Sequence, residues 1–126
     1  MRHWVVPPFI HIESEIQMSR IVELSAQQFA RFVAKGSSVV LFSASWCKPC
    51  QEVKPVFHAL EEKLHSLAAF AKIDVAVSPT IAQMYGIRAV PSLAVFHEGR
   101  LLRVMPGSRS VGAMKKAILA ELEEAI

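Results

Sequence analysis

The tightest constraint on this chain is the stretch Trp46-Cys47-Lys48-Pro49-Cys50, which holds both of its cysteines. Before it, Val39-Val40-Leu41-Phe42 is an unbroken apolar run that reads as a buried strand. After it, Val53, Val56 and Phe57, Leu60 and Leu64 recur at helical spacing. Strand, loop, C-x-x-C and helix in that order place two thiols on one face of a first helical turn, within the short Cα separation that a disulfide requires. Such a pair opens and closes without rebuilding the fold around it.

Position also sets reactivity. The thiolate is the nucleophile in disulfide exchange, and an ordinary thiol, with a pKa of about 8.5, is only a few per cent thiolate at pH 7. Cys47 is expected to stand exposed at the helix N-terminus, where unpaired backbone N–H groups and the positive end of the dipole favour an anion by roughly 0.3–2 kcal/mol. Lys48 adds a neighbouring positive charge. The Cys47 thiol is therefore expected below its ordinary pKa, with Cys50, deeper in the turn, as the resolving thiol. Two other readings of the pair stand beside this one: incidental thiols, or half of a structural zinc site. Zinc needs four ligands, and the sequence has no second C-x-x-C or H-x-x-x-H. The five histidines, His3, His11, His58, His65 and His97, lack ligand spacing and read as surface or satisfied side chains.

Composition bounds the rest. A chain of 126 residues that is 52% hydrophobic suits one domain with a single modest core. A net charge of +3 carried by scattered basic residues gives no support to nucleic-acid binding. No run approaches the ~18–20 apolar residues of a membrane span. The first residues, broken by Pro7-Pro8 and His11, lack a signal-type apolar core. A cytoplasmic protein is expected.

The motif and its surroundings resemble the thioredoxin family. Trp46-Cys47-Lys48-Pro49-Cys50 is similar to the family motif, with Lys48 where glycine is usual. Pro55 falls at a helix-kinking proline, and Lys72-Ile73-Asp74-Val75 resembles the third strand. Tyr85-Gly86-Ile87-Arg88-Ala89-Val90-Pro91-Ser92 resembles the segment that leads to the cis-proline, at the family interval from Cys50. Glu98-Gly99 and Gly107 match further glycine positions. The resemblance implies an α/β thioredoxin fold, a central mixed sheet flanked by helices on both faces, over residues 18–126, with 1–17 as an N-terminal extension. It also implies a protein-disulfide reductase working in electron transport and cell redox homeostasis. Cys47 and Cys50 would be catalytic, and Pro91 cis. Trp46, Lys48, Pro49, Val75, Ala89, Val90, Pro91 and Pro106 would bind substrate, the Val90 main chain pairing with it as an added strand. The implied partners are disulfide-containing proteins and a thioredoxin reductase or similar dithiol donor. Neither metal nor organic cofactor is needed, nucleic acid and membrane play no part, and the protein would be a monomer.

Two departures bear on function. Thioredoxins carry an aspartate six positions before the first motif cysteine, where it helps move the resolving cysteine's proton; this chain has Leu41 there. Lys72 matches the lysine that usually accompanies that aspartate, and is kept as a supporting residue. Ser43 replaces a frequent tryptophan. Leu41, Ser43 and the extension favour an alternative, a thioredoxin-fold binding module or co-chaperone with weak or specialised redox activity. The intact C-x-x-C and Pro91 count against it.

Local signals give the order βαβαβαββα. Ile21–Leu24 reads as a strand, and Ser25 and Gln28 have capping-box spacing before a helix with Phe29, Phe32 and Val33 on its apolar face. Ala69–Val75 and Ser92–Phe96 read as strands, Ser78-Pro79 as a helix start, and Glu98-Gly99 as a hairpin turn into Arg100–Met105. Ser110 caps a last helix with Val111, Met114, Ile118, Leu122 and Ile126 inward. In the extension, Trp4, Val6, Phe9, Ile10 and Ile12 are apolar around Pro7-Pro8. This segment is expected to pack on the domain or a partner, to be a free tail, or to precede a true start at Met18.

Overall fold

Alternation along one strand organises the molecule. In β2, Ser37–Ser43, Val39 and Leu41 join the buried cluster on one face of the sheet, and Val40 and Phe42 join the cluster on the other. A strand apolar on both faces must lie inside a covered sheet, and β2 is the middle one of five. The computed structural model describes residues 20–125, so the expectations for residues 1–17, Met18 and Ile126 lie outside it.

The strand order is β1-β3-β2-β4-β5. β1 (Val22–Leu24) and β2 run parallel to β3 (Ala69–Asp74), while β4 (Ser92–His97) is antiparallel to β2 and to β5 (Arg100–Pro106). Helices α2 (Lys48–Leu64) and α4 (Val111–Ala125) cover one face, with Val53, Phe57, Leu60, Met114, Ile118 and Leu122 buried against Val39, Leu41, Leu93 and Val95. Helices α1 (Ala26–Val33) and α3 (Pro79–Met84) cover the other, where Phe29, Val33 and Ile81 meet Val40, Phe42, Ala94 and Phe96. This is the α/β architecture that the element order implied.

Element ends follow their local chemistry. Gln28 Oε1 accepts a hydrogen bond from Ser25 N at 3.0 Å, closing the first turn of α1. Ser110 Oγ accepts from Ala113 N at 3.2 Å at the start of α4. Ser78 occupies the N-cap of α3, but its side chain makes no capping bond, so Pro79 alone marks that start. Helix α2 continues through Pro55, whose missing N–H leaves the Gln51 carbonyl without its helical donor. Glu98 and Gly99 both have positive φ, 51° and 83°, as a type I′ hairpin requires. Their N–H groups donate to Gly36 O and Val33 O at 2.9 and 2.8 Å, fastening the β4–β5 turn to the end of α1.

Candidate active site

The β2–α2 loop, the β3–α3 loop and the segment before β4 meet at the C-terminal ends of β2 and β3. Pairing brings this about: Ser43 lies opposite Asp74, and Val75 N donates to Ser43 O at 2.8 Å, so the two loops leave the sheet side by side. Cys47 is the N-cap of α2, with extended backbone (φ −91°, ψ 113°), and Lys48 and Pro49 form the first helical residues. Cys47 Sγ accepts a hydrogen bond from Cys50 N at 3.2 Å, taking one of the free donors at the helix start. The two cysteines are joined as a disulfide with Cα atoms 5.2 Å apart.

The sulfurs lie deeper than the sequence suggested. Cys47 was expected exposed, yet it keeps only 5% of its surface, and Cys50 keeps 1%. Ala44, Val75 and Val90 pack around them, so solvent reaches the pair mainly at the rim of Cys47. That burial comes from two loops distant in sequence, which local periodicity does not register.

The Val90–Pro91 peptide bond is cis. The segment is held from both ends: Ser92 Oγ donates to Ala89 O at 2.7 Å, and Gly107 N donates to Pro91 O at 3.0 Å. A Cβ on Gly107 would lie 2.8 Å from Pro91 Cγ, so only glycine fits there. Val90 O is 3.8 Å from Cys47 Sγ, a position in which the reduced thiol could donate to it.

Next to the cis-proline is a groove of about 420 Å³. Pro49, Ala89, Val90, Pro91 and Pro106, all singled out in the sequence, line it together with Val53, Val56 and Gly107. Glu52, Ser108 and Arg109 supply polar walls that sequence reading missed, since nothing local marks them. Val75 packs on the disulfide rather than in the groove, and Lys48 is exposed beside it. Trp46 is 72% exposed, so it is not a core packing residue. Lys72 lies behind Cys50, away from the groove, opposite Leu41 in the β2–β3 register. Leu41 itself is 1% exposed and belongs to the core. Among the described residues no group of three or more His, Cys, Asp or Glu side chains converges as a metal site, and no helix is long and apolar enough to cross a membrane.

A disulfide at a helix N-cap, bordered by a cis-proline loop at the edge of a five-stranded mixed sheet, defines a dithiol–disulfide exchange protein. Comparison with known proteins agrees. The Thioredoxin family model matches residues 20–120. Thioredoxin of Buchnera aphidicola subsp. Schizaphis graminum is 32% identical over 106 residues, 82% of this chain and 94% of that protein. Thioredoxin of Chlamydia muridarum is 34% identical over 99 residues, 79% of this chain and 91% of that protein. Among solved structures, a mutant thioredoxin from Halobacterium salinarum superposes with a TM-score of 0.73 at 30% identity, over 82% of this chain and 91% of that one. The chain belongs to the thioredoxin family. It is a thioredoxin-like thiol–disulfide oxidoreductase, a protein-disulfide reductase with disulfide-containing substrates and a reductase partner.

Proposed function

We propose that Cys47 attacks the substrate disulfide and Cys50 resolves the intermediate. The observation that carries this reading is the placement of Cys47 Sγ: at the N-cap of α2, accepting the Cys50 N–H, beside the cis-proline groove. The reduced Cys47 thiolate attacks one substrate sulfur and forms a mixed disulfide, and the other substrate sulfur leaves with the electron pair and takes a proton. Cys50 then attacks Cys47 Sγ, closing the intramolecular disulfide and releasing the second substrate thiol. Burial of 95% or more at both cysteines, with the rim on Cys47, supports that division of labour.

Substrate docks in the groove formed by Pro49, Ala89, Val90, Pro91 and Pro106, and the Val90 main chain pairs with it as an added strand. Trp46, Lys48 and Val75 extend the contact surface around the disulfide. Lys72 supports the pair from behind. A thioredoxin reductase or similar dithiol donor returns two electrons to the disulfide. The protein acts as a monomer in the cytoplasm, where the thiol pool keeps such pairs reduced, with domain 18–126 carrying the activity and 1–17 as an extension.

Insulin reduction driven by dithiothreitol tests the reading. The parent protein accelerates it, Cys47→Ser abolishes the acceleration, and Cys50→Ser accumulates substrates bound through Cys47. A rate equal to that of dithiothreitol alone would mean a binding module instead.

A further inference from the structure

Behind the disulfide, away from the cis-proline groove, Cys50 forms part of the wall of a polar crevice of about 120 Å³, shared with Lys54, Lys72, Glu23 and Asp74. A second cavity of about 90 Å³ is lined by Leu41, His58 and the same two lysines, so Lys54 and Lys72 border both spaces. Lys54 lies one turn after Cys50 on α2, on the same helix face. Lys72 stands opposite Leu41, a hydrocarbon that neither accepts nor stabilises a proton.

The charges around Cys50 can be taken element by element. Helix α2 gives Lys54 and, in the adjoining cavity, His58; β3 gives Lys72 and Asp74; β1 gives Glu23. Strand β2 gives only Ser43 and Leu41, and the cis-proline loop packs the apolar Val90 on the pair. Asp74 Oδ1 accepts from Ala76 N at 2.8 Å, which ties one oxygen of that carboxylate to its own turn, and Glu23 lies opposite Lys72 in the β1–β3 register. The ion pairs among the described residues, Arg20–Glu61 and Arg103–Glu121, involve neither lysine.

Resolution requires Cys50 to become a thiolate at a site with 1% exposure, and burial opposes that charge. We propose that Lys54 is a positioning residue for this half of the exchange, its ammonium, with that of Lys72, stabilising the Cys50 thiolate across the crevice. The Cys50 proton leaves to water in the crevice, and the thiolate pair forms the bond to Cys47 Sγ. The bond from Cys47 to the substrate sulfur breaks, and that sulfur leaves with its pair and is protonated from solvent. The proposal rests on Cys50 being the resolving thiol.

Rapid mixing of the reduced protein with dithiobis(nitrobenzoate) tests it, because the first aromatic thiolate reports attack by Cys47 and the second reports resolution by Cys50. In Lys54→Met the second phase is expected to slow about two- to fivefold at pH 7, the range of an exposed charge interaction. Its pH profile moves upward, the deficit fades in high salt, and the first phase is unchanged. Lys54→Arg restores the second phase. An unchanged second-phase profile in Lys54→Met, equal slowing of both phases, or failure of Lys54→Arg to restore it overturns the proposal. If the parent and Cys50→Ser give the same single release, the resolving role of Cys50 falls, and this proposal with it.

Discussion

Lys48 stands where a glycine would leave the helix start without a side-chain charge, and it is exposed next to Cys47. A cation there favours the thiolate of the reduced form over the neutral disulfide, so it makes the couple more oxidising. Solvent screening keeps the effect small, on the order of 5–20 mV above a Lys48→Gly variant. Equilibration of both proteins with glutathione measures the difference, and a parent potential equal to or below the variant's would refute it. The same end of α2 acts on Cys47 directly. Its sulfur already accepts the Cys50 N–H at 3.2 Å, and that bond strengthens when the sulfur is charged. Burial of the Cys47 sulfur opposes that charge, and the helix end with its donor is expected to outweigh the burial, so that reduced Cys47 titrates below the ordinary thiol value. Thiolate absorbance followed against pH in Cys50→Ser reports it, and a midpoint at the free-thiol reference of about 8.5 would show that the helix end contributes nothing.

At the scale of elements, the site depends on how the segment before β4 is braced by the end of β5. Gly107 is buried against Pro91, with its N–H on Pro91 O, and leaves no room for a methyl group. Gly107→Ala must push the cis-proline loop or the β5 end aside, an overpacking strain of about 1–3 kcal/mol. Displacement of the loop by a fraction of an ångström misplaces the wall of the proposed docking groove, so insulin reduction is expected to fall on the order of tenfold or more. Activity and thermal unfolding measured on the same sample separate the two effects; wild-type activity would show that the loop tolerates the shift. Gly107 also marks the limit of what the sequence discloses. The unbroken apolar run Val39–Phe42, the cap residues Ser25 and Ser110, and the Glu98-Gly99 turn are local signals, and the structure uses each at or within a residue or two of its expected place. The C-x-x-C at a helix start was legible for the same reason. Burial of Cys47, the polar walls at Glu52 and Arg109, and the pairing of buried Glu61 with Arg20 at 2.8 Å arise from segments far apart in the chain. No window of neighbouring residues contains them.

For the whole molecule, the question is how far the disulfide supports a fold that it must repeatedly leave and re-enter. The core lies elsewhere: two buried clusters, one on each face of the sheet, contain the large side chains, while the cysteines form a small third cluster with Ala44. The cross-link closes a loop between residues only three apart, so it removes little freedom from the unfolded chain. The chain-entropy relation gives about 2 kcal/mol for so short a loop. The oxidised protein is thus expected to exceed the reduced one in stability by roughly that amount, a shift of about 1 M in the urea midpoint of a small domain. Both forms should unfold with similar slopes, since the surface exposed on unfolding is nearly the same. Unfolding curves of the oxidised and dithiothreitol-reduced protein decide the matter. A reduced form without a cooperative transition would show that the disulfide supports the sheet and helices. A gap near the expected value leaves the domain free to cycle, because each opening of the bond then costs a small part of a stability held by the two faces of the sheet.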